Sequence, residues 1–300
     1  MIIAASIISV ACAPDPVIDL EPCNDKDSFG LTSITEKLFD GNFLQHSAVY
    51  NFHNGILENV EYLDGSYDII SYANGLVTQI DEYDENDIID WTRSYVYDSE
   101  GRLIYKTSVP IKMAEWDIEL KEFSYEKDKI LTTHSFFDAN NVLLGSDKWV
   151  LSLGDNKLIV REELETPLDN SGQRVEYYQG NPLYFFQYGL GSEHDATVTY
   201  SFSDNPASEA YHLTKFMFGK EWKNNTILNK QFNLDYEISS IISNNYLTGY
   251  LYKLDATQDI MESLEVDYEF DLKKRLVKQL KLVNKAGRYF RIETVYEYNN

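Results

Sequence analysis

Basic residues are scarce in this chain: 26 Lys and Arg stand against 49 Asp and Glu, a formal net charge of −23. A surface of that sign repels nucleic acid phosphates and anionic lipid headgroups, which excludes both as bulk partners. Cysteine is limited to Cys12 and Cys23, so no disulfide framework or cysteine-based metal cluster holds the body of the chain. Histidine is nearly as rare, and none of His46, His53, His134, His194 and His212 has a partner at the spacing of a zinc-ligand pair. Only 7 prolines interrupt the backbone. No apolar run approaches the ~20 residues a membrane-crossing helix requires. The Gly-x-Ser-x-Gly nucleophile elbow is absent. Ser192, His194 and Asp195 do occur together, but near-neighbours on one turn cannot converge on a single proton path, and the segment reads as a solvated loop. Nothing in the sequence calls for a cofactor or a metal, and no catalytic residue is assigned.

Aromatic residues are abundant, with 23 Tyr and 15 Phe. The stretch Ser94 to Thr107, SYVYDSEGRLIYKT, shows how they are used. Tyr95 and Tyr97 alternate with Ser94, Val96 and Asp98, so both rings project from one face of a strand. Asp98-Ser99-Glu100-Gly101 reverses the chain, and Leu103, Tyr105 and Thr107 alternate on the return. Turn signals recur along the chain at Asn54-Gly55, Asn74-Gly75, Glu100-Gly101, Asp128-Lys129, Asp155-Asn156, Gln179-Gly180, Asp204-Asn205 and Leu272-Lys273, with weaker ones at Asn224-Asn225 and Asn244-Asn245. Gly55, Gly75, Gly101 and Gly180 are the turn glycines of this pattern. The expected fold is all-β, an antiparallel meander of about 18–20 strands in repeated hairpins. No long helix is expected; Ser33 to Phe43 reads as one short amphipathic helix that Gly41 ends.

Alternation near the end sets Val266, Tyr268 and Phe270 on one face against Glu265, Asp267, Glu269 and Asp271 on the other. A transmembrane barrel carries an unbroken apolar band outside, so charge on alternate positions points to a soluble sheet with a wet face and an aromatic face. A closed ring of ~18 strands is too wide for side chains alone to fill. It must therefore flatten, hold a cavity, or remain an open, curled porin-like sheet. From Lys273 to Arg291 eight basic residues run without an acidic one, and they are expected to pair with an acidic neighbouring strand.

Residues 1–11, MIIAASIISVA, form a short apolar run ending in small residues, the pattern of an export signal. Ser9-Val10-Ala11-Cys12 resembles a bacterial lipoprotein processing site, which makes Cys12 the expected lipid anchor. Residues 12–28 read as a flexible tether and 29–300 as a single repetitive β-domain. The acidic run containing Asp81, Asp84 and Asp87 offers oxygen ligands for calcium but lacks the glycine and terminal glutamate of an EF-hand loop. Trp91, Trp116, Trp149 and Trp222 are the candidate ligand-facing aromatics, suited to stacking on sugars.

Tyr95-Val96-Tyr97-Asp98-Ser99-Glu100-Gly101-Arg102-Leu103 resembles the tyrosine–aspartate (YD) repeat of bacterial shell and toxin-delivery proteins. Val266 to Leu276, VDYEFDLKKRL, keeps the aromatics, Asp271, Arg275 and Leu276 but lacks the glycine. Together with the lipoprotein-like start, the chain resembles Bacteroides-type surface lipoproteins of unknown function with a porin-like fold. That resemblance implies an exported, outer-membrane protein anchored through Cys12 and facing the periplasm or the cell surface. It carries no catalytic residues to transfer. The expected role is a non-enzymatic binding or scaffolding surface, with a glycan or another envelope protein as partner and no nucleic acid. The alternatives are a partial shell around a polypeptide passenger and, less favoured, a glycan-active hydrolase.

Overall fold

The computed structural model describes residues 30–111, 117–164, 172–189, 195–229 and 242–299. The expected signal segment and the expected tether with Cys12, as well as Trp116 and His194, lie outside these. Eighteen strands form one antiparallel sheet. The first nine are β1 (Leu31–Asp40), β2 (Phe43–His53), β3 (Ile56–Tyr62), β4 (Tyr67–Ala73), β5 (Leu76–Tyr83), β6 (Ile89–Tyr97), β7 (Leu103–Pro110), β8 (Ile118–Tyr125) and β9 (Lys129–Phe137). The rest are β10 (Leu143–Leu153), β11 (Ile159–Leu164), β12 (Gly172–Tyr178), β13 (Asn181–Tyr188), β14 (Ala196–Pro206), β15 (Asn245–Leu254), β16 (Ile260–Phe270), β17 (Leu276–Lys285) and β18 (Arg288–Tyr298). Each pairs with its sequence neighbour, and β18 pairs back to β1 from Leu31↔Tyr298 to Asp40↔Phe290. The sheet is a closed barrel.

The segment from Ser33 to Phe43 is not a helix. It is most of β1, the turn and the first residue of β2, held between β18 and β2. Its apolar residues fit both periods over so short a length, and closure of the ring decides in favour of the strand.

The hairpins after β6 and after β16 share one construction. Asp98 Oδ1 accepts from the backbone N–H of Glu100 (2.9 Å) and Arg102 (3.0 Å), and its Oδ2 accepts from Arg102 Nε at 2.7 Å. The Arg102 guanidinium lies 4.6 Å from the Tyr125 ring centroid, and the Tyr125 hydroxyl donates to the Leu103 carbonyl at 2.9 Å. The turn after β16 repeats this: Asp271 Oδ1 accepts from Lys273 and Arg275, Oδ2 from Arg275 Nε at 2.7 Å. Arg275 covers Tyr298 at 4.4 Å, and Tyr298 donates to Leu276 at 2.9 Å. Where Gly101 takes φ 79°, Lys274 is held at φ 63°, a conformation a Cβ disfavours.

The outer wall is polar. Arg161 pairs with Glu163, Arg174 with Glu176, Lys278 with Glu269 and Arg291 with Glu293. Thr92 Oγ1 and Gln79 Nε2 both donate to Asp81. Charged residues at mid-strand on a lipid-facing wall would each cost up to about 2–4 kcal/mol, so this wall faces water. The basic run at the end of the chain finds partners within the fold: Lys278 and Lys285 meet Glu269 and Glu262 of β16, and Arg288 meets Asp40 of β1.

The lumen is occupied by the chain itself. The connection from β14 to β15 holds two short helices, α1 (Leu213–Phe218) and α2 (Trp222–Asn229). Phe218, Ile227 and Leu228 are completely buried, and Phe216 and Phe218 pack edge-on against Phe52 and Tyr95 of the wall. Asn224 and Asn225 are therefore not a turn, and neither are Asp204 and Asn205, which lie within β14. Asn225 donates to Gly101 O (2.9 Å) and accepts from Leu103 N (3.0 Å), while Asn224 donates to Lys157 O (2.9 Å) and accepts from Ile159 N (3.3 Å). Each side-chain amide presents one donor and one acceptor, as a neighbouring strand would, and so pins α2 to two hairpins. The Lys106 ammonium donates to the carbonyl of Asn229 at the far end of α2. Asn244 and Asn245 likewise belong to the end of this connection and the start of β15, bonded to Asn181. The barrel thus has a plugged rim, where the chain enters at Gly30 beside Asn299, and a distal rim formed by the alternate turns.

Candidate ligand cleft at the distal rim

The inner faces of β3 to β6 come together near the distal rim. Strand register places Asp68 directly opposite Glu82, and Glu82 opposite Trp91. Arg93, two residues further along β6, shares the same inward face. With Tyr62 they line a cleft of about 370 Å³, whose edge is formed by Ser66, Tyr83 and Asp90. The Tyr62 hydroxyl donates to Asp68 Oδ2 at 2.7 Å, and Arg93 pairs with Glu82 at 2.5 Å. Burial raises the pKa of Asp68 against the opposing effects of the Tyr62 hydrogen bond and the Arg93 charge. Burial also raises Glu82, with Asp68 adding to the rise and Arg93 opposing it.

A buried polar layer continues round the lumen. Lys106 and Ser108 face inward on β7, opposite Tyr95 and Arg93 of β6 and Lys121 and Glu119 of β8. His134 of β9 stands opposite Lys121, and its Nε2 lies 3.4 Å from Glu119 Oε2. That contact is the main cause of a lowered Glu119 pKa. Burial, reinforced by Lys121 and Arg93, brings the Lys106 ammonium down to about 7. Burial likewise lowers Lys121 to about 8, opposed by Glu162 and Glu119.

This arrangement offers an indole face, two carboxylates, a guanidinium and a phenol within one concavity, the set that hydroxyl-rich ligands use. Asp68 and Glu82 are adjacent cross-strand partners on one wall. Glycoside hydrolysis needs its two carboxylates on either side of the scissile bond, so this pair suits hydrogen bonding better than cleavage.

Of the four tryptophans, Trp91 alone among the described residues lines the cleft. Trp149 lies half-buried on β10, opposite Thr132 and Leu164. Trp222 is buried at the head of α2, 4.6 Å from His212 between ring centroids. Asp81, Asp84 and Asp87 do not converge. Asp81 is on the outer wall, Asp84 accepts from the backbone of Asn86 and Ile88, and Asp87 accepts from the Tyr67 hydroxyl at 3.0 Å. No cluster of His, Cys, Asp and Glu suited to a metal ion occurs among the described residues. Gly55, Gly75, Gly101 and Gly180 occupy hairpin turns at φ between 74° and 79°.

Sequence reasoning missed Asp68, Glu82, Arg93, Lys106 and Lys121. Their only signal is a polar residue in phase with the aromatic face of its strand. On β7 that phase is hidden, because the register shifts between Leu103 and Tyr105, so Lys106 rather than Tyr105 shares the face of Leu103.

No family model matches this chain, and no curated protein does. Among solved structures it is similar to a porin-like protein from Bacteroides uniformis, with 13% identity and a TM-score of 0.44 over 90% of this chain and 96% of that one. A porin-like protein from Bacteroides vulgatus follows at 11% identity and 0.42, covering 90% and 98%. The Photorhabdus luminescens Tc holotoxin pore is a more distant likeness, at 9% identity and 0.23, with 83% of this chain spanning 14% of that one. The fold assignment rests on the strand pairing itself.

Proposed function

We propose that this protein is a non-enzymatic, lipid-anchored envelope barrel that binds a glycan in the distal cleft. The observation that carries the reading is the convergence of Tyr62, Asp68, Glu82, Trp91 and Arg93 in one concavity. The anchor is inferred from the sequence around Cys12. A tether joined to Gly30 attaches at the plugged rim, next to Asn299, the end opposite the cleft. The lumen already holds α1 and α2, which favours a surface-binding role over a shell around a separate passenger.

The test is a panel of soluble oligosaccharides titrated against the full chain carrying Cys12→Ser, read by tryptophan fluorescence and calorimetry. A glycan that binds the wild-type cleft should lose about tenfold in affinity with Trp91→Ala and with Arg93→Gln. Absence of binding across the panel would overturn the ligand assignment. Glycan turnover abolished by Asp68→Asn or Glu82→Gln would make the protein a hydrolase instead.

A further inference from the structure

The distal rim differs from the plugged rim in a second way. Each of its fully described turns exposes a large apolar side chain: Phe43 after β1, Leu63 after β3 and Ile88 after β5. The series continues with Leu143 after β9, Ile260 after β15 and Tyr289 after β17. Their exposure runs from 50% at Ile88 to 76% at Phe43. Ile111, at the start of the β7–β8 connection, belongs to the same series. The plugged rim is patchier: Ile56 after β2, Tyr178 after β12 and Leu272 after β16 are exposed there, while the turns after β4, β8 and β10 expose no large apolar side chain. Scattered exposed apolar residues are ordinary on soluble proteins; a set that recurs on every fully described turn of one end marks a contact surface.

The net charge between these apolar points is negative. Asp40, Asp64, Glu85, Asp138 and Asp255 stand on the same turns. The nearby cations, Lys285 and Arg288, are held by Glu262 and Asp40. An anionic membrane is repelled by such a rim, and a second copy would bring like charge against like in a rim-to-rim dimer.

From this we infer that the distal rim is a docking ring for a cationic polypeptide that carries apolar side chains, seated across the turns by its apolar groups and held in register by its basic ones. The ring is separate from the glycan cleft, and either can fail without the other.

The probes are a short amphipathic leucine–lysine peptide, a polylysine of equal charge, and phosphatidylcholine vesicles. They are titrated against the full chain carrying Cys12→Ser and against a variant with Phe43→Ser, Leu63→Ser, Leu143→Ser and Ile260→Ser added. These side chains are exposed, so the melting temperature should be retained, and circular dichroism checks it. A second variant, Tyr178→Ser with Leu272→Ser on the plugged rim, serves as the control. The leucine–lysine peptide should bind the parent chain and the control alike, and lose about tenfold or more with the rim variant, while weak polylysine binding stays unchanged. Equal binding of the peptide by rim variant and parent would overturn the inference. So would vesicle binding, or self-association of the parent, that the rim variant abolishes without changing peptide affinity, since the ring would then serve a lipid surface or a second copy.

Discussion

At the scale of single residues, the left-handed turn positions are not all filled alike. Gly101 sits at φ 79° without strain, whereas Lys274 occupies the equivalent place at φ 63° with a Cβ to accommodate. Gly101→Val should lower stability by about 1–2 kcal/mol and Lys274→Gly raise it by about 0.5–1 kcal/mol in urea unfolding. An unchanged midpoint for both would mean that the turn backbone relaxes freely. Lys106 sets a pH dependence. Its ammonium is brought to about 7 in the fold, against about 10.4 in an unfolded chain. Between these values the unfolded chain binds a proton that the folded chain does not, so stability should rise with pH from about 7 toward 10. Lys121, lowered to about 8, contributes with the same sign. Lys106→Met should flatten the rise in urea midpoint over that range, and an identical slope would show that Lys106 keeps its proton. Neither lysine was legible in the sequence, since an isolated Lys in a strand reads as a solvated side chain.

Among the secondary elements, the helical plug is the least legible. Residues 213–229 combine Phe216, Phe218, Trp222, Ile227 and Leu228 with Asn224 and Asn225. They show no amphipathic stripe, because a helix enclosed by a barrel is packed on every side. What fixes α2 in place is its pair of asparagines, each satisfying a backbone donor and acceptor that hairpin geometry leaves free. Asn225 is fully buried and Asn224 is not. Asn225→Ala should therefore cost about 2–3 kcal/mol through two stranded backbone groups, and Asn224→Ala less than about 1 kcal/mol, where water can substitute. Equal losses would mean that both sites are equally wet. The hairpins themselves were readable, since Asp98 and Asp271 announce their turns by local chemistry that depends on a few adjacent residues.

For the molecule as a whole, closure is the property that governs behaviour. Removing residues 288–300 deletes β18 and leaves β1 and β17 each with one open edge. Two exposed strand edges invite association, so the shortened chain should elute as aggregate in gel filtration where the full chain is monodisperse. A well-behaved monomer would show that the plug alone holds the sheet in a curl. The two rims follow from the same closure: an even number of strands in meander order sends alternate turns to opposite ends, which brings acidic, apolar-tipped turns together on one rim and the chain entry to the other.

The sequence by itself determined what depends on neighbours along the chain: all-β class, hairpin repeats, the turns marked by glycine or by Asp98 and Asp271, and the alternation of wet and dry faces. These follow from backbone sterics and the two-residue period of a strand, which act over a few residues. Tertiary structure alone decided that the meander closes, that its own connection fills the lumen, and that Tyr62, Asp68, Glu82, Trp91 and Arg93 share a cleft. Each of these depends on register and curvature summed over the whole ring, where a single bulge, as between Leu103 and Tyr105, changes which side chains face inward.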